Sequence, residues 1–136
     1  MNNRIVPPVI NVFVIVQPTL FGNAGDGLFQ VTCVPETIVV TEPNTLVVYQ
    51  LIAPTPPNIL FSGYTDPGPA PTAQQLSQPA TVSADGTMMA IFDADSNSDV
   101  EPPLTIQVKL WFIDTENPDI PFIFDPQVTN DGRAGN

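Results

Sequence analysis

The chain has 136 residues, the length of one domain, and its 43% hydrophobic content is too high for a disordered polypeptide. It carries 14 acidic residues against 3 basic ones, which gives a net charge of −11. Nucleic acids and anionic membrane surfaces are bound through Lys and Arg, so the charge argues against both classes of partner. Cations, basic proteins, neutral sugars and copies of the same chain remain compatible partners.

Short β-branched and aromatic runs predict strands through the first half of the chain. They lie at residues 9–17, 28–34, 37–40, 45–52 and 59–62. Cys33 is the only cysteine, so no internal disulfide can form, and its apolar neighbours predict a thiol buried in the core. No helical pattern follows the glycine-rich segment 22–27, so we interpret it as a turn and not as a phosphate-binding loop.

The second half of the chain adds a hairpin and a half-buried strand. Asp85 and Gly86 stand between two apolar runs, a pattern that predicts a β-hairpin closed by a type I′ turn. Apolar residues then alternate from 104 to 113, which predicts a strand with one face in the core and one face toward solvent. The segment 120–124 predicts a short last strand, and the polar residues 129–136 predict a frayed tail.

The expected fold is all-β, an immunoglobulin-like antiparallel β-sandwich of about seven to nine strands that forms a single domain over 1–136. No window of 18 apolar residues predicts a transmembrane helix. Pro7, Pro8 and Asn11 interrupt the apolar run near the N-terminus, which argues against a signal peptide. We therefore expect a cytoplasmic protein with no membrane partner.

The sequence lacks the residues that most enzymes use. It contains no histidine, so Ser-His-Asp and Cys-His arrangements cannot form, and the usual general base near neutral pH is missing. Zinc, copper and haem sites normally need His or several Cys. The sequence thus predicts a protein that is not an enzyme and has no cofactor, with calcium as the one metal to consider.

The calcium hypothesis rests on oxygen-bearing side chains at every second residue, the early spacing of an EF-hand loop. The candidate ligands are Asp93, Asp95, Asn97, Asp99 and Glu101. However, Ser98 replaces the obligatory glycine of such a loop, and Leu104 replaces its bidentate glutamate. The alternative is a solvated acidic turn.

The predicted outward face of the strand 104–113 carries Trp111 together with Lys109 and Ile113. An apolar group of this kind often marks an interface or a surface that a loop covers. The proline-rich segment 67–71 is one such loop, and a second copy of the chain is the other candidate. A ligand-binding surface is a further alternative, and the leading hypothesis makes these three residues the interface of a homo-oligomer.

Several short motifs point to a family. They are Glu42-Pro43, Asp125-Pro126, Tyr49-Gln50-Leu51 and the hairpin at 83–88. With them the chain resembles the DP-EP family of small uncharacterised bacterial proteins. The resemblance implies a β-sandwich of bacterial origin and offers no catalytic residues to transfer. Physically, each X-Pro pair forces an extended residue before the ring and should end strand pairing there.

The leading functional hypothesis is a non-enzymatic cytoplasmic interaction or self-assembly module that forms a homo-oligomer. The alternative is a calcium-responsive or small-ligand-binding β-sandwich domain.

Overall fold

The computed structural model of the protein describes residues 8–40, 45–65, 81–93, 104–107, 109–124 and 126–130. All regular elements in these ranges are strands, which confirms the all-β prediction. This part of the chain has no helix long and apolar enough to cross a membrane. The strands are β1 (Val9–Pro18), β2 (Phe29–Val34), β3 (Thr37–Val40), β4 (Thr45–Leu51), β5 (Ile59–Thr65), β6 (Thr81–Val82), β7 (Met88–Asp93), β8 (Leu104–Gln107), β9 (Lys109–Asp114), β10 (Phe122–Phe124) and β11 (Gln127–Asn130).

The strands form two sheets. The first sheet has the order β2-β1-β4-β7-β6, and the second is made of the groups β10-β9-β5 and β3-β11-β8. The β9–β10 and β8–β11 ladders keep one register, since Phe122 lies opposite Phe112 and Gln127 lies opposite Gln107. These ladders are therefore two parts of one hairpin, and the described residues form a sandwich of nine strands.

Each sheet contains one parallel pair, which the predicted antiparallel sandwich does not include. In the first sheet β1 runs parallel to β4, and in the second β3 runs parallel to β11. The chain makes the first pair by passing from β2 through β3, in the other sheet, before it returns as β4 beside β1. A parallel pair needs such a crossover, and here a strand supplies it in place of a helix. The immunoglobulin-like subtype stays a prediction.

One strand was not predicted. β11 pairs with β3 on one side and with β8 on the other. It includes Thr129 and Asn130, the first two residues of the segment that the sequence assigned to a frayed tail. Every strand that the sequence predicted is present, and its ends differ from the predicted ends by at most three residues.

The core lies between the two sheets and follows the alternation of the strands. Its largest buried side chains include Tyr49, Met89, Ile91 and Leu110. Aromatic rings form a continuous column through it, in the order Phe61, Phe112, Phe122 and Phe29, with ring centroids 5.3, 5.3 and 4.3 Å apart. Offset and stacked aromatic pairs add to the stability that comes from burial alone.

Cys33 is buried in this core, as the sequence predicts. Burial, with a further contribution from the nearby charge of Glu36, raises the pKa of the thiol to about 12. A protonated thiol is a poor nucleophile, so Cys33 acts as a small apolar residue.

The predicted hairpin joins β6 to β7, but the type I′ turn is wrong. A type I′ turn needs positive φ at both central residues. Gly86 has a φ of 76°, but Asp85 does not have a positive φ, since Asp26 is the one non-glycine residue in the described ranges that does. The amide of Gly86 donates to the carbonyl of Ser83 (2.9 Å), so the turn spans 83–86 and its last residue, Gly86, lies in the left-handed region.

The side chain of Asp85 stabilises this different turn. Its Oδ1 accepts hydrogen bonds from Ser83 Oγ (2.7 Å), Thr87 Oγ1 (2.8 Å) and the Thr87 amide (3.1 Å). These donors, Ser83 first, hold the pKa of the carboxyl below its usual value. An Asp in the ordinary φ region can make these bonds, and only Gly86 needs the left-handed conformation.

The same turn connects the two sheets. The carbonyl of Thr87 accepts from the amide of Leu51 at the end of β4 (2.8 Å). The carbonyl of Gly86 accepts from the amide of Phe61 in β5 (2.8 Å). One loop therefore stabilises the position of both sheets at this end of the sandwich.

Candidate functional site

A cleft of about 520 Å³ opens at one end of the sandwich, between the ends of the two sheets. The first sheet contributes the end of β1, the beginning of β2 and residues of the loop that joins them. The second sheet contributes the loop before β5, the end of β9, the loop after it and the beginning of β10. The volume lies in the range of small-molecule sites, which is about 300–1,000 Å³.

The polar side of the cleft is built around Asp114, the last residue of β9. Its Oδ1 accepts a hydrogen bond from Asn58 Nδ2 (2.7 Å) and another from the amide of Glu116 (3.0 Å). The bond to the amide two residues ahead is an Asx turn, which ends the strand and starts the loop. The Asp114 carboxylate therefore has a defined orientation, and Glu116 and Asn117 line the cleft beside it.

The apolar side of the cleft ends on the aromatic column of the core. Phe29 stacks on Phe122 with an interplanar angle of 6°, and both rings line the cleft. Leu28 and Ile120 stand at its mouth with 58% and 63% of their surfaces exposed. The site thus combines carboxylates with apolar walls that are already assembled.

The loop between β1 and β2 is folded by its own hydrogen bonds. The side-chain amide of Asn23 pairs with the backbone of β2 as a neighbouring strand would. It donates to the Val31 carbonyl (2.9 Å) and accepts from the Val31 amide (2.7 Å). A Cβ at Gly22 would collide with the carbonyl oxygen of Phe29. The segment 22–27 is therefore a structured turn followed by a strand, as predicted, and it places Gly25 against Phe29.

The predicted calcium ligands fall mostly outside the described residues. Asp95, Asn97, Asp99 and Glu101 all lie in the range 94–103, which the structure does not describe. Asp93 is the last residue of β7, lies opposite Thr45 and is completely buried. Within the described ranges no three acidic or Cys side chains form a metal-binding group. The calcium site stays a prediction.

The predicted interface residues lie on β9, on the face opposite the core. Leu110 and Phe112 are completely buried, whereas Lys109, Trp111 and Ile113 are half-buried, so the predicted alternation is confirmed there. Trp111 lies between Ile123 of β10 and Gly63 of β5 in the sheet. A role for this surface in association stays a prediction.

The outer face of the first sheet is a second apolar surface, which the sequence did not predict. Exposed hydrophobic side chains lie on β2, β1 and β7, and they keep 39–54% of their surfaces exposed. They are Val9, Phe13, Val34, Met88 and Phe92. The signal was present, since β1 and β4 are apolar at almost every position, which is typical of strands covered on both faces.

The family assignment follows from a comparison with known families. The model of the DP-EP family matches residues 6–132 of the chain. The chain belongs to the DP-EP family. No curated protein matches its sequence.

Of the two X-Pro motifs, Asp125-Pro126 can be compared with the strand boundaries. β10 ends at Phe124 and β11 begins at Gln127, so the Asp125-Pro126 pair lies between two strands that keep one register. Pro126 itself is buried. Asp125 and the pair Glu42-Pro43 lie outside the described residues.

Proposed function

We propose that this DP-EP protein is a non-enzymatic cytoplasmic module that self-associates through the outer face of its first sheet. The observation that supports the proposal is the charge-free surface of β2, β1, β4 and β7. The residues that face outward on these strands are Val9, Asn11, Phe13, Ile15, Gln17, Gln30, Thr32, Val34, Leu46, Val48, Gln50, Met88, Ala90 and Phe92. No acidic or basic side chain is among them.

The registers of the sheet place the exposed hydrophobic residues in rows. Phe13 lies opposite Val34 on one side and Gln50 on the other, and Gln50 lies opposite Met88. A second row runs from Phe92 through Leu46 to Val9. Gln50 separates Phe13 from Met88 in the first row, and Val48 and Ala90 lie between the two rows. Apolar side chains therefore lie on all four strands, an exposed surface of the kind that protein interfaces use.

The charge distribution favours a second copy as the occupant. Two chains of charge −11 repel each other when acidic surfaces meet. The outer face of the first sheet can meet its own copy without opposing like charges and without removing ions from water. Four strands at about 4.8 Å and seven residues at about 3.3 Å give a patch of roughly 450 Å². That area is small for a specific interface, so we expect a reversible dimer.

The non-enzymatic part of the proposal is supported by the sequence, which has no histidine for acid–base or nucleophilic chemistry at neutral pH.

Sedimentation velocity over a range of protein concentrations tests the proposal. The wild type should shift from monomer toward dimer as the concentration rises. Phe13→Glu places a charge in the centre of the patch and should keep the protein monomeric. Phe21→Glu is the matched control, because Phe21 is 94% exposed in the loop after β1, away from the sheet face. It should leave the dimer unchanged.

Two further measurements address the possible unfolding of Phe13→Glu and a contact through the second sheet. Val34→Thr keeps the shape and strand propensity of an exposed side chain, so it tests the patch if Phe13→Glu unfolds the protein. Trp111 is the one tryptophan of the chain, and its fluorescence should not change on dilution if the first sheet forms the contact. A monomer at every concentration contradicts self-association, and a change in Trp111 emission on dissociation moves the contact to the second sheet.

A further inference from the structure

We infer that the cleft at the end of the sandwich binds a small organic cation with an apolar body, whose positive group sits against Asp114. This site is separate from the outer face of the first sheet and does not depend on self-association. The inference rests on three features of the cleft: an oriented carboxylate, apolar walls and a suitable volume.

The Asp114 carboxylate is oriented, and no basic side chain of the described residues pairs with it. Both hydrogen bonds to Asp114 go to Oδ1, from Asn58 and from the Glu116 amide, and in the described part of the chain Oδ2 accepts none. Lys109 is the one basic residue in that part, and its position on β9 places it on the opposite face of the sheet from Asp114. The free oxygen of Asp114 can therefore accept a charge-assisted hydrogen bond from a ligand.

The second carboxylate strengthens the preference for a cation. Glu116 lines the same cleft as Asp114. Two neighbouring carboxylates on a chain of charge −11 attract a positive group and disfavour an anion.

The walls determine the rest of the ligand. Phe29 and Phe122 present a stacked aromatic surface, and Leu28 and Ile120 keep more than half of their surfaces in water at the mouth. An apolar body that covers Leu28, Ile120 and the half-buried ring of Phe29 gains the free energy of removing them from water, whereas Phe122 is only 4% exposed. Inorganic cations cannot make this gain, so the cleft selects an organic cation over a metal ion.

The volume limits the size of the ligand. A cleft of about 520 Å³ accommodates one aromatic ring with a short amine arm and leaves room for water. Phenethylammonium has these two parts, and it is the probe for the experiment.

The experiment is an NMR titration of the ¹⁵N-labelled full chain with phenethylammonium. Two matched probes keep the ring and change the head group: 2-phenylethanol is neutral, and 3-phenylpropionate is an anion. Saturable shifts of the amides of Gly25, Phe29, Glu116 and Asn117 are expected with the amine. The alcohol should bind at least about tenfold more weakly, the typical effect of removing a charge-assisted hydrogen bond, and the anion should not bind.

Two variants with the same loss of charge test the role of Asp114. Asp114→Asn keeps an oxygen that accepts from Asn58 and should weaken amine binding about tenfold. Glu36→Gln removes one exposed carboxylate from a different part of the surface and should leave binding unchanged. Ile120→Ala shortens an exposed wall residue and should weaken the binding of the amine and of the alcohol alike.

Three results overturn the inference. One is the absence of saturable shifts at the cleft up to about 10 mM amine, a concentration at which even a ligand this small should show binding. Another is equal affinity for the amine and the alcohol, which removes the role of charge. The third is an equal effect of Glu36→Gln and Asp114→Asn, which reduces the interaction to the net charge of the protein.

Discussion

Asn58 and Asp114 are joined by a hydrogen bond of 2.7 Å although 56 residues separate them in the chain. A second bond supports the first, because the amide of Thr115 donates to the carbonyl of Asn58 (2.8 Å). The loop before β5 and the end of β9 are therefore held together at the wall of the cleft. The orientation of the Asp114 carboxylate depends on this pair.

Asn58→Ala should lower the free energy of unfolding by about 1–2 kcal/mol, since a part-buried hydrogen bond to a charged group is lost. Urea unfolding measures the change. Asn117→Ala is the control on the same wall, because Asn117 is exposed and its side chain makes no hydrogen bond to the described residues. Its effect should stay within about 0.5 kcal/mol. Equal losses in the two variants would show that the Asn58–Asp114 bond adds nothing.

Truncating a ring of the aromatic column should reduce the free energy of unfolding by more than Asn58→Ala does. Phe122→Ala removes a ring that is 4% exposed and stacks on both Phe29 and Phe112, so unfolding should become easier by about 3–5 kcal/mol. Phe21→Ala removes the same side chain from a position that is 94% exposed and should change stability by less than about 0.5 kcal/mol. Thermal unfolding followed by circular dichroism compares the two variants, and a loss below that of a typical core truncation would contradict the packing of Phe122.

The sequence predicts the strands well because a half-buried strand leaves a local pattern. Leu110 and Phe112 alternate with outward residues and are buried as predicted, whereas β1 was predicted as a strand from its β-branched run alone. β11 escaped prediction because it is short and Val128 is its one apolar residue. It becomes a strand through its two neighbours, β3 and β8, which no local pattern shows.

The cleft could not be predicted for a similar reason. Its walls come from segments that are far apart in the sequence, and their meeting depends on which loops share an end of the sandwich. Asp114 carried a weak local signal, because an Asp at the end of a strand often accepts from the amide two residues ahead. The partner Asn58 carried no such local signal.

The Asp85-Gly86 pair shows the same limit of local patterns. It predicted the hairpin but not the turn that the side-chain bonds of Asp85 select.

Gly86→Ala should destabilise the protein for two reasons. The φ of 76° is strained for alanine, and a Cβ would lie 2.9 Å from the Cβ of Leu60, which cannot move without the backbone. Together they should cost about 2–3 kcal/mol. Gly27→Ala is the control for strain alone, because Gly27 has a φ of 85° and its nearest atom would be 3.6 Å from a Cβ. It should cost about 1–2 kcal/mol.

Leu60→Ala in the Gly86→Ala background isolates the contact between the two residues. Because the shortened side chain still has a Cβ, it should recover less than the whole difference between Gly86→Ala and Gly27→Ala. Equal losses for the two single glycine variants would show that β5 moves away freely from the turn.

Cys33 should make the protein less stable at alkaline pH. Burial, helped by Glu36, raises the pKa of its thiol to about 12 in the folded chain, whereas an unfolded chain titrates near the ordinary value of about 8.5. The unfolded state therefore loses a proton that the folded state keeps, and the free energy of unfolding falls as the pH rises above about 8.5. Urea unfolding between about pH 7 and pH 9 measures this fall where few tyrosines of the unfolded chain are ionised. Cys33→Ala lowers the stability at every pH, but it should remove this part of the pH dependence. An identical pH dependence in the wild type and in Cys33→Ala would show that the thiol is not protected from ionisation by the fold.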